Sequence, residues 1–163
     1  NERMDWLLEK ATELGASTLL PITAERSVLK LKGERADKKL AHWQAIAVAA
    51  SEQCGRNRVL QVAAPLTLTQ AIAASTQQAP CTRWILSLAE GTQSLTDALR
   101  ALPPMVDGAR QDIVLLSGPE GGLSPAEEAE ALAAGFLPVS LGQRVLRAET
   151  APVAVLSAVG LLT

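Results

Sequence analysis

"DIVLLSGPEGGLSPAEEAEAL", residues 112–132, sets the apolar run Ile113 to Leu116 directly against three glycines and a proline, then turns into an acidic segment with helical spacing. A short continuous apolar run bounded by turn residues reads as a strand buried on both faces. Ser124, Pro125 and Glu127 form a capping box: the Ser124 hydroxyl takes the N–H of residue 127, the Glu127 carboxylate reaches back, and Pro125 fills the first helical position. The glycines therefore belong to a loop between a buried strand and a helix. This unit decides the fold class.

The same alternation extends through the chain. Leu7, Ala11 and Leu14 predict an amphipathic helix over residues 2–14, closed by Gly15. "STLLPI" follows as a strand, and Leu40, Trp43, Ala47 and Ala50 mark a second helix. "VLQVA" and "RWILSLA" are strand-like, "TLTQAIAAS" is helix-like, and "SLTDALRAL" is a helix with Ser94 as its N-cap. "LPPMVDGARQ" is a loop by its prolines and glycine. "LPVSLG" is a further strand and "ETAPVAVLSAVGLL" the closing helix. Short apolar strands alternating with helices imply an α/β fold with a mostly parallel sheet covered on both faces. Ligands of such sheets bind beyond the carboxyl ends of the strands, which is where the glycine loop falls.

A glycine-rich turn that opens a helix usually cradles phosphate. Glu120 stands among these glycines, and a fixed carboxylate repels phosphate at close range, so the expected ligand is neutral or cationic on this side. A tight turn without any ligand is the alternative. The rival sites fail on composition. GxGxxG is absent and the glycine loop follows a late strand, against a dinucleotide fold; no GK[ST] occurs; and GxSxG is missing. His42, the only histidine, falls in a predicted helix next to Trp43 and reads as structural. One histidine and two separated cysteines, Cys54 and Cys81, predict no metal site and free thiols.

The 163 residues are 48% hydrophobic, enough for one α/β domain and too few for two comfortable ones. The formal charge is −2, but residues 1–60 carry ten Lys/Arg against eight Asp/Glu and residues 61–163 five against nine. The positive charge lies toward the front, where Arg26, Lys30, Lys32, Arg35, Lys38 and Lys39 crowd together and Arg56 and Arg58 flank a short loop. From this set an RNA-facing surface is expected, with Arg26, Lys30, Arg56 and Arg58 as phosphate contacts. No apolar run approaches a membrane span and no signal segment is visible, so the expected location is the cytoplasm.

A second unusual stretch is "SLGQRVLRAETAPVAV", residues 140–155. Charged residues crowded between two apolar elements are costly unless paired, so Arg144, Arg147 and Glu149 are expected to face a polar site or one another, with Thr150 capping the last helix. An ion-paired helix entrance is the alternative.

"EKATELG" (9–15), "ERS" (25–27), "SEQCGR" (51–56), "GPEGGLSPAEEAEA" (118–131) and "LGQRVLRAETA" (141–151) together resemble the bacterial 16S rRNA (uracil-N3) methyltransferases, the E-type small-subunit enzymes of the SPOUT class. The resemblance covers nearly the whole chain, and its last two motifs in that order are highly specific. It implies a SPOUT-type sheet whose carboxy-terminal segment forms a deep trefoil knot, a homodimer, and S-adenosylmethionine as cofactor. Cofactor contacts carry over onto Leu88, Ala89 and Glu90, onto Gly118, Pro119, Glu120 and Gly121, and onto Leu141, Gly142, Arg144, Leu146 and Arg147. Such a cofactor has no phosphate and carries a sulfonium, which suits Glu120. The resemblance also implies an amino-terminal PUA-like RNA-binding domain that this chain does not carry, so residues 1–163 are expected to be the catalytic domain alone.

The implied substrate is uridine N3 in 16S rRNA, in the decoding region of the small ribosomal subunit. Another RNA such as tRNA, or a non-catalytic nucleoside-binding dimer, stands as the alternative. Uridine N3 is an imide N–H and a poor nucleophile. Without tyrosine or a suitable histidine, Arg144 or Arg147 is expected to stabilise the developing charge, with Glu149 orienting one of them.

Overall fold

The computed structural model describes residues 2–27, 33–77, 81–103 and 112–161. In chain order the elements are α1 (Glu2–Glu13), β1 (Thr18–Leu19), β2 (Ile22–Thr23), α2 (Glu34–Cys54), β3 (Gln61–Val62), β4 (Leu66–Thr67), α3 (Leu68–Thr76), β5 (Thr82–Leu86), β6 (Gln93–Ser94), α4 (Leu95–Arg100), β7 (Ile113–Leu116), α5 (Pro125–Ala133), β8 (Leu137–Ser140) and α6 (Thr150–Gly160). Every strand pairing is parallel among the described residues. The main sheet runs β6-β8-β5-β7, and β1 with β3 and β2 with β4 form two shorter pairs. The last strand of the chain thus lies inside the sheet, between the successive strands β5 and β6. Most of the predicted "LPPMVDGARQ" loop falls outside the described residues.

β5 shows why both faces must be covered. Successive side chains of a strand point to opposite faces. Trp84 accordingly packs with Ala98 of α4, Val139 of β8 and Val155 of α6, while Ile85 packs with Leu68 and Ile72 of α3, Leu116 of β7 and Ala131 of α5. A third cluster joins α1 and α2 to β3 through Leu8, Ala11, Trp43, Ala47, Leu60 and Val62. The α2 stripe falls where the spacing put it. On α1 the buried side chains are Leu8, Ala11 and Thr12, so the core-facing stripe is rotated by about one position from Leu7, Ala11 and Leu14. Thr12 sits inside because its hydroxyl donates to the Leu8 carbonyl at 2.7 Å, which satisfies it within the helix.

Gly15, at φ 94°, ends α1 with the Ala16 N–H on the Ala11 carbonyl at 2.9 Å. Arg56, just beyond α2, then caps the same end. Its guanidinium donates to the carbonyls of Thr12 at 2.6 Å, Ala16 at 2.9 Å and Gly15 at 3.4 Å. The opposite half of the α1–α2 contact is held by Asp5, which accepts from Trp43 Nε1 at 3.2 Å and meets His42 Nε2 at 3.1 Å.

Burial alone would raise the Asp5 pKa, but the hydrogen bond with His42 and the surrounding positive charges, Lys39 among them, outweigh it and hold the carboxyl below its ordinary 3.8. A depressed carboxylate adds stability above its unfolded pKa and loses it as pH falls through the folded value. Asp5→Asn keeps an oxygen for Trp43 and removes the charge. The variant is expected to melt below the parent at pH 7, with the gap in Tm closing as pH drops below about 3.8; a constant gap in circular dichroism melts from pH 7 to 3 would refute the charge argument.

Candidate active site

β7, β5 and β8 are neighbours and parallel, so their carboxyl ends lie side by side. Three segments leave from that edge: 87–92 after β5, 117–124 after β7 and 141–149 after β8. They contain every residue expected from the motifs to touch a cofactor.

The first segment is anchored by Ser87, which the sequence reading did not single out. Its N–H donates to the Val139 carbonyl at 3.1 Å, tying the end of β5 to β8. Its buried hydroxyl donates to the Glu128 carboxylate of α5 and accepts from the Ala89 N–H at 3.1 Å. Leu88, Ala89 and Glu90 ride on this anchor and are all exposed, Leu88 to 71%. A polar residue at the end of the apolar run "RWILSLA" was the one available signal.

In the second segment the geometry favours glycine. A Cβ on Gly118 would stand 3.1 Å from the Leu123 nitrogen and 3.2 Å from its Cγ. Gly122 turns the chain at φ 69°, with its N–H on the Pro119 carbonyl at 2.8 Å. The predicted capping box is present: Glu127 N–H donates to Ser124 Oγ at 3.3 Å, and Ser124 N–H to Glu127 Oε2 at 2.8 Å. The turn after β2 docks on this loop. Arg26 Nη1 donates to the Gly121 carbonyl at 2.9 Å and lies 3.5 Å from that of Leu123, and Glu25 N–H donates to Glu127 Oε1 at 2.7 Å.

The third segment starts with half-buried Leu141 and with Gly142 at φ 97°, whose N–H reaches Ser140 Oγ at 3.2 Å. Arg144 and Arg147 are exposed, and their side chains make no hydrogen bond or ion pair with another described residue; Leu146 is half-buried. Two expectations change here. Thr150 does not cap α6: Glu149 occupies the cap position with helical backbone angles and no side-chain cap, and the Arg147 carbonyl instead accepts from Thr150 N–H at 2.9 Å and Ala151 N–H at 3.1 Å. Glu149, expected to pair with Arg144 or Arg147, meets Arg3 at 3.9 Å. Arg3 also pairs with Glu120, so one guanidinium on α1 joins the second and third segments. Helix α1 packs against α6, and that contact brings residues so distant in sequence together.

The residues expected to face RNA separate. Arg26 is committed to the glycine loop and Arg56 to the end of α1, so both guanidinium groups are turned to backbone carbonyls. Arg58 is exposed and Lys30 lies outside the described residues. Lys39 stands over the Trp43 ring at 5.8 Å. Among the described residues no three His, Cys, Asp or Glu side chains are grouped to hold a metal ion, and no helix is long and apolar enough to cross a membrane.

Residues 1–160 match the family described as RNA methyltransferase domain. The chain belongs to that family. It is 34% identical over 99% of its length to ribosomal RNA small subunit methyltransferase E of Bacillus subtilis. Its fold matches that of a Legionella pneumophila protein solved in complex with SAM, with a TM-score of 0.83, 35% identity and 98% of this chain covered. It also matches a Neisseria gonorrhoeae ribosomal RNA small subunit methyltransferase E bound to S-adenosyl methionine, with a TM-score of 0.82, 36% identity and 99% covered. The chain spans about 62% of the length of each of these three proteins. The expected SPOUT-like arrangement of parallel strands flanked by helices is the one shared with these structures.

Removing the Ser87 hydroxyl leaves the Glu128 carboxylate and the Ala89 amide without their partner. Ser87→Ala is expected to cost about 1–3 kcal/mol in a urea titration. A loss under about 0.5 kcal/mol would show that Ser87 does not anchor the first segment.

Proposed function

We propose that this chain is the catalytic domain of an S-adenosylmethionine-dependent methyltransferase that modifies N3 of a uridine in 16S rRNA, in the decoding region of the small ribosomal subunit. The observation that carries this reading is the meeting of the three motif-bearing segments at the carboxyl ends of three adjacent parallel strands, in a fold whose relatives were solved with that cofactor. The residues present fit such a group. The glycine loop would offer bare backbone to a flat ring, Leu88, Leu141 and Leu146 apolar surface, and Glu90 negative charge to a sulfonium, with Glu120 beside it in its pair with Arg3.

The cofactor supplies an electrophilic methyl group; what this chain supplies is placement and charge. Loss of the N3 proton to a carboxylate or to water would develop negative charge on uridine O2 and O4, and that charge would be spent as N3 takes the methyl group and the sulfonium becomes a neutral thioether. Arg144 and Arg147 support that charge in the proposal because nothing among the described residues occupies their guanidinium groups. Glu149 contributes through Arg3, which it shares with Glu120.

The insertion of β8 between β5 and β6 supports reading the carboxy-terminal segment as the threaded part of a trefoil knot. A homodimer is supported by α6, an almost wholly apolar helix in which only Val155 is buried, flanked by Val145 at 78% exposure and Leu161 at 88%. Action on the ribosome would place the protein in the cytoplasm.

Calorimetry with S-adenosylmethionine is expected to show binding that Gly118→Ala weakens, by up to about tenfold, since the added Cβ crowds Leu123. With the full-length protein and undermodified small subunits, Arg144→Ala and Arg147→Ala are expected to lower methyl transfer at saturating cofactor by about 10²-fold. Wild-type rates would remove both arginines from the chemistry. Transfer to tRNA but not to ribosomal subunits would redirect the substrate, and absence of cofactor binding would end the proposal. Sedimentation equilibrium is expected to give twice the chain mass; a monomer refutes the dimer.

A further inference from the structure

We propose that Arg26 and Glu127 form a reciprocal clasp that sets the shape of the glycine loop, which makes Arg26 a positioning residue of the cofactor pocket and takes it out of the RNA-facing surface. The inference rests on the methyltransferase reading only for the identity of the ligand. Arg26 leaves the turn after β2 and donates to the carbonyls of Gly121 and Leu123 in the loop. Glu127 leaves the first turn of α5 and returns the contact, accepting from the Glu25 amide with one oxygen and from the Ser124 amide with the other. Each side thus sends one charged group onto the backbone of the other, across a separation of 95 to 102 residues.

Charged groups on backbone donors and acceptors make some of the stronger hydrogen bonds in proteins. A loop carrying Gly118, Gly121 and Gly122 needs them, because glycine retains more backbone freedom than any other residue and cannot hold a conformation through its own side chain. The fit at Gly121 is close as well. The Cβ it lacks would lie 3.3 Å from Arg26 Cβ and 3.6 Å from Cδ, so the stem of Arg26 lies against the loop that its head grips. A guanidinium fixed on two carbonyls is oriented by the loop and not by a passing phosphate.

Three measurements on Arg26→Ala test this. Amide hydrogen exchange at residues 121–124 without cofactor is expected to speed up about tenfold or more, and the Kd for S-adenosylmethionine to rise about five- to tenfold. The salt dependence of RNA binding is expected to keep its slope, since no phosphate contact is lost. Arg26→Lys should recover part of both losses, because an ammonium reaches a carbonyl without the planar fork. Wild-type exchange and affinity in Arg26→Ala overturn the clasp, as does a salt slope smaller by about one with the Kd unchanged. Should Arg26→Ala fail to fold, Arg26→Lys and Glu127→Gln carry the same comparison. A wild-type chain that takes no S-adenosylmethionine defeats the methyltransferase reading, while the exchange measurement still judges the clasp.

Discussion

Strand β5 is the ruler of this molecule. It pairs with β7 on one side and β8 on the other, and the two registers share residues: Trp84 stands opposite Leu115 and Leu137, and Ile85 opposite Leu116 and Pro138. The heights of all three site segments are therefore set by one strand. Side chains alternate with period two, so a slip of one residue would exchange Trp84 and Ile85 between faces that hold different helices. A slip of two would keep the faces and move a loop by about 6.6 Å, enough to take it out of the site. Burial of Trp84 and Ile85, each about 1.5–3 kcal/mol against exposure, disfavours such shifts.

On that frame the site is fastened in two ways of unequal strength. Arg26, Arg56 and Glu127 place charge directly on backbone donors and acceptors of other segments, and such charge-assisted bonds are stronger than neutral ones. Arg3 meets Glu120 and Glu149 nearer the surface, with about half of its side chain exposed, where charge pairs contribute roughly 0–1 kcal/mol. The Arg3 bridge therefore matters for where the two carboxylates stand relative to each other. Fold stability lies in the three apolar clusters.

Much of the frame was readable from local pattern. The glycine loop, the capping box at Ser124 and Glu127, the Ser94 cap and the apolar strands at Trp84 and Leu116 all depend on neighbours within a few residues, and such features survive folding unchanged. What could not be read depends on distance. Whether α1 turns Leu7 or Leu8 inward is decided by α2 and β3, not by its own spacing. Arg26 and Arg56 look like phosphate ligands in a basic stretch because the carbonyls they grip belong to other segments. Thr150 looks like a cap until the turn at Arg147 supplies the carbonyl that begins the helix. Arg3 carried no signal at all, since its partners lie more than a hundred residues away.

The question posed by Glu120 among the glycines has a structural answer that goes further than repulsion. A helix start after a glycine loop attracts anions because its first N–H groups lack partners. At α5 that attraction is already met from within: Ser124 takes the Glu127 amide, both Glu127 oxygens hold amides, and Glu127 and Glu128 add two negative charges to the first turn. A phosphate approaching this end would find the Ser124 and Glu127 amides occupied and the carboxylates of Glu127 and Glu128 in its way. Gly118 lets the loop fold tightly against Leu123 and Gly122 bends it back, while the helix behind it supplies its own counter-charge. The usual electrostatics of a glycine loop are inverted here, as the proposed sulfonium ligand would require, and the sequence "GPEGGLSPAEE" encodes that inversion in eleven consecutive residues.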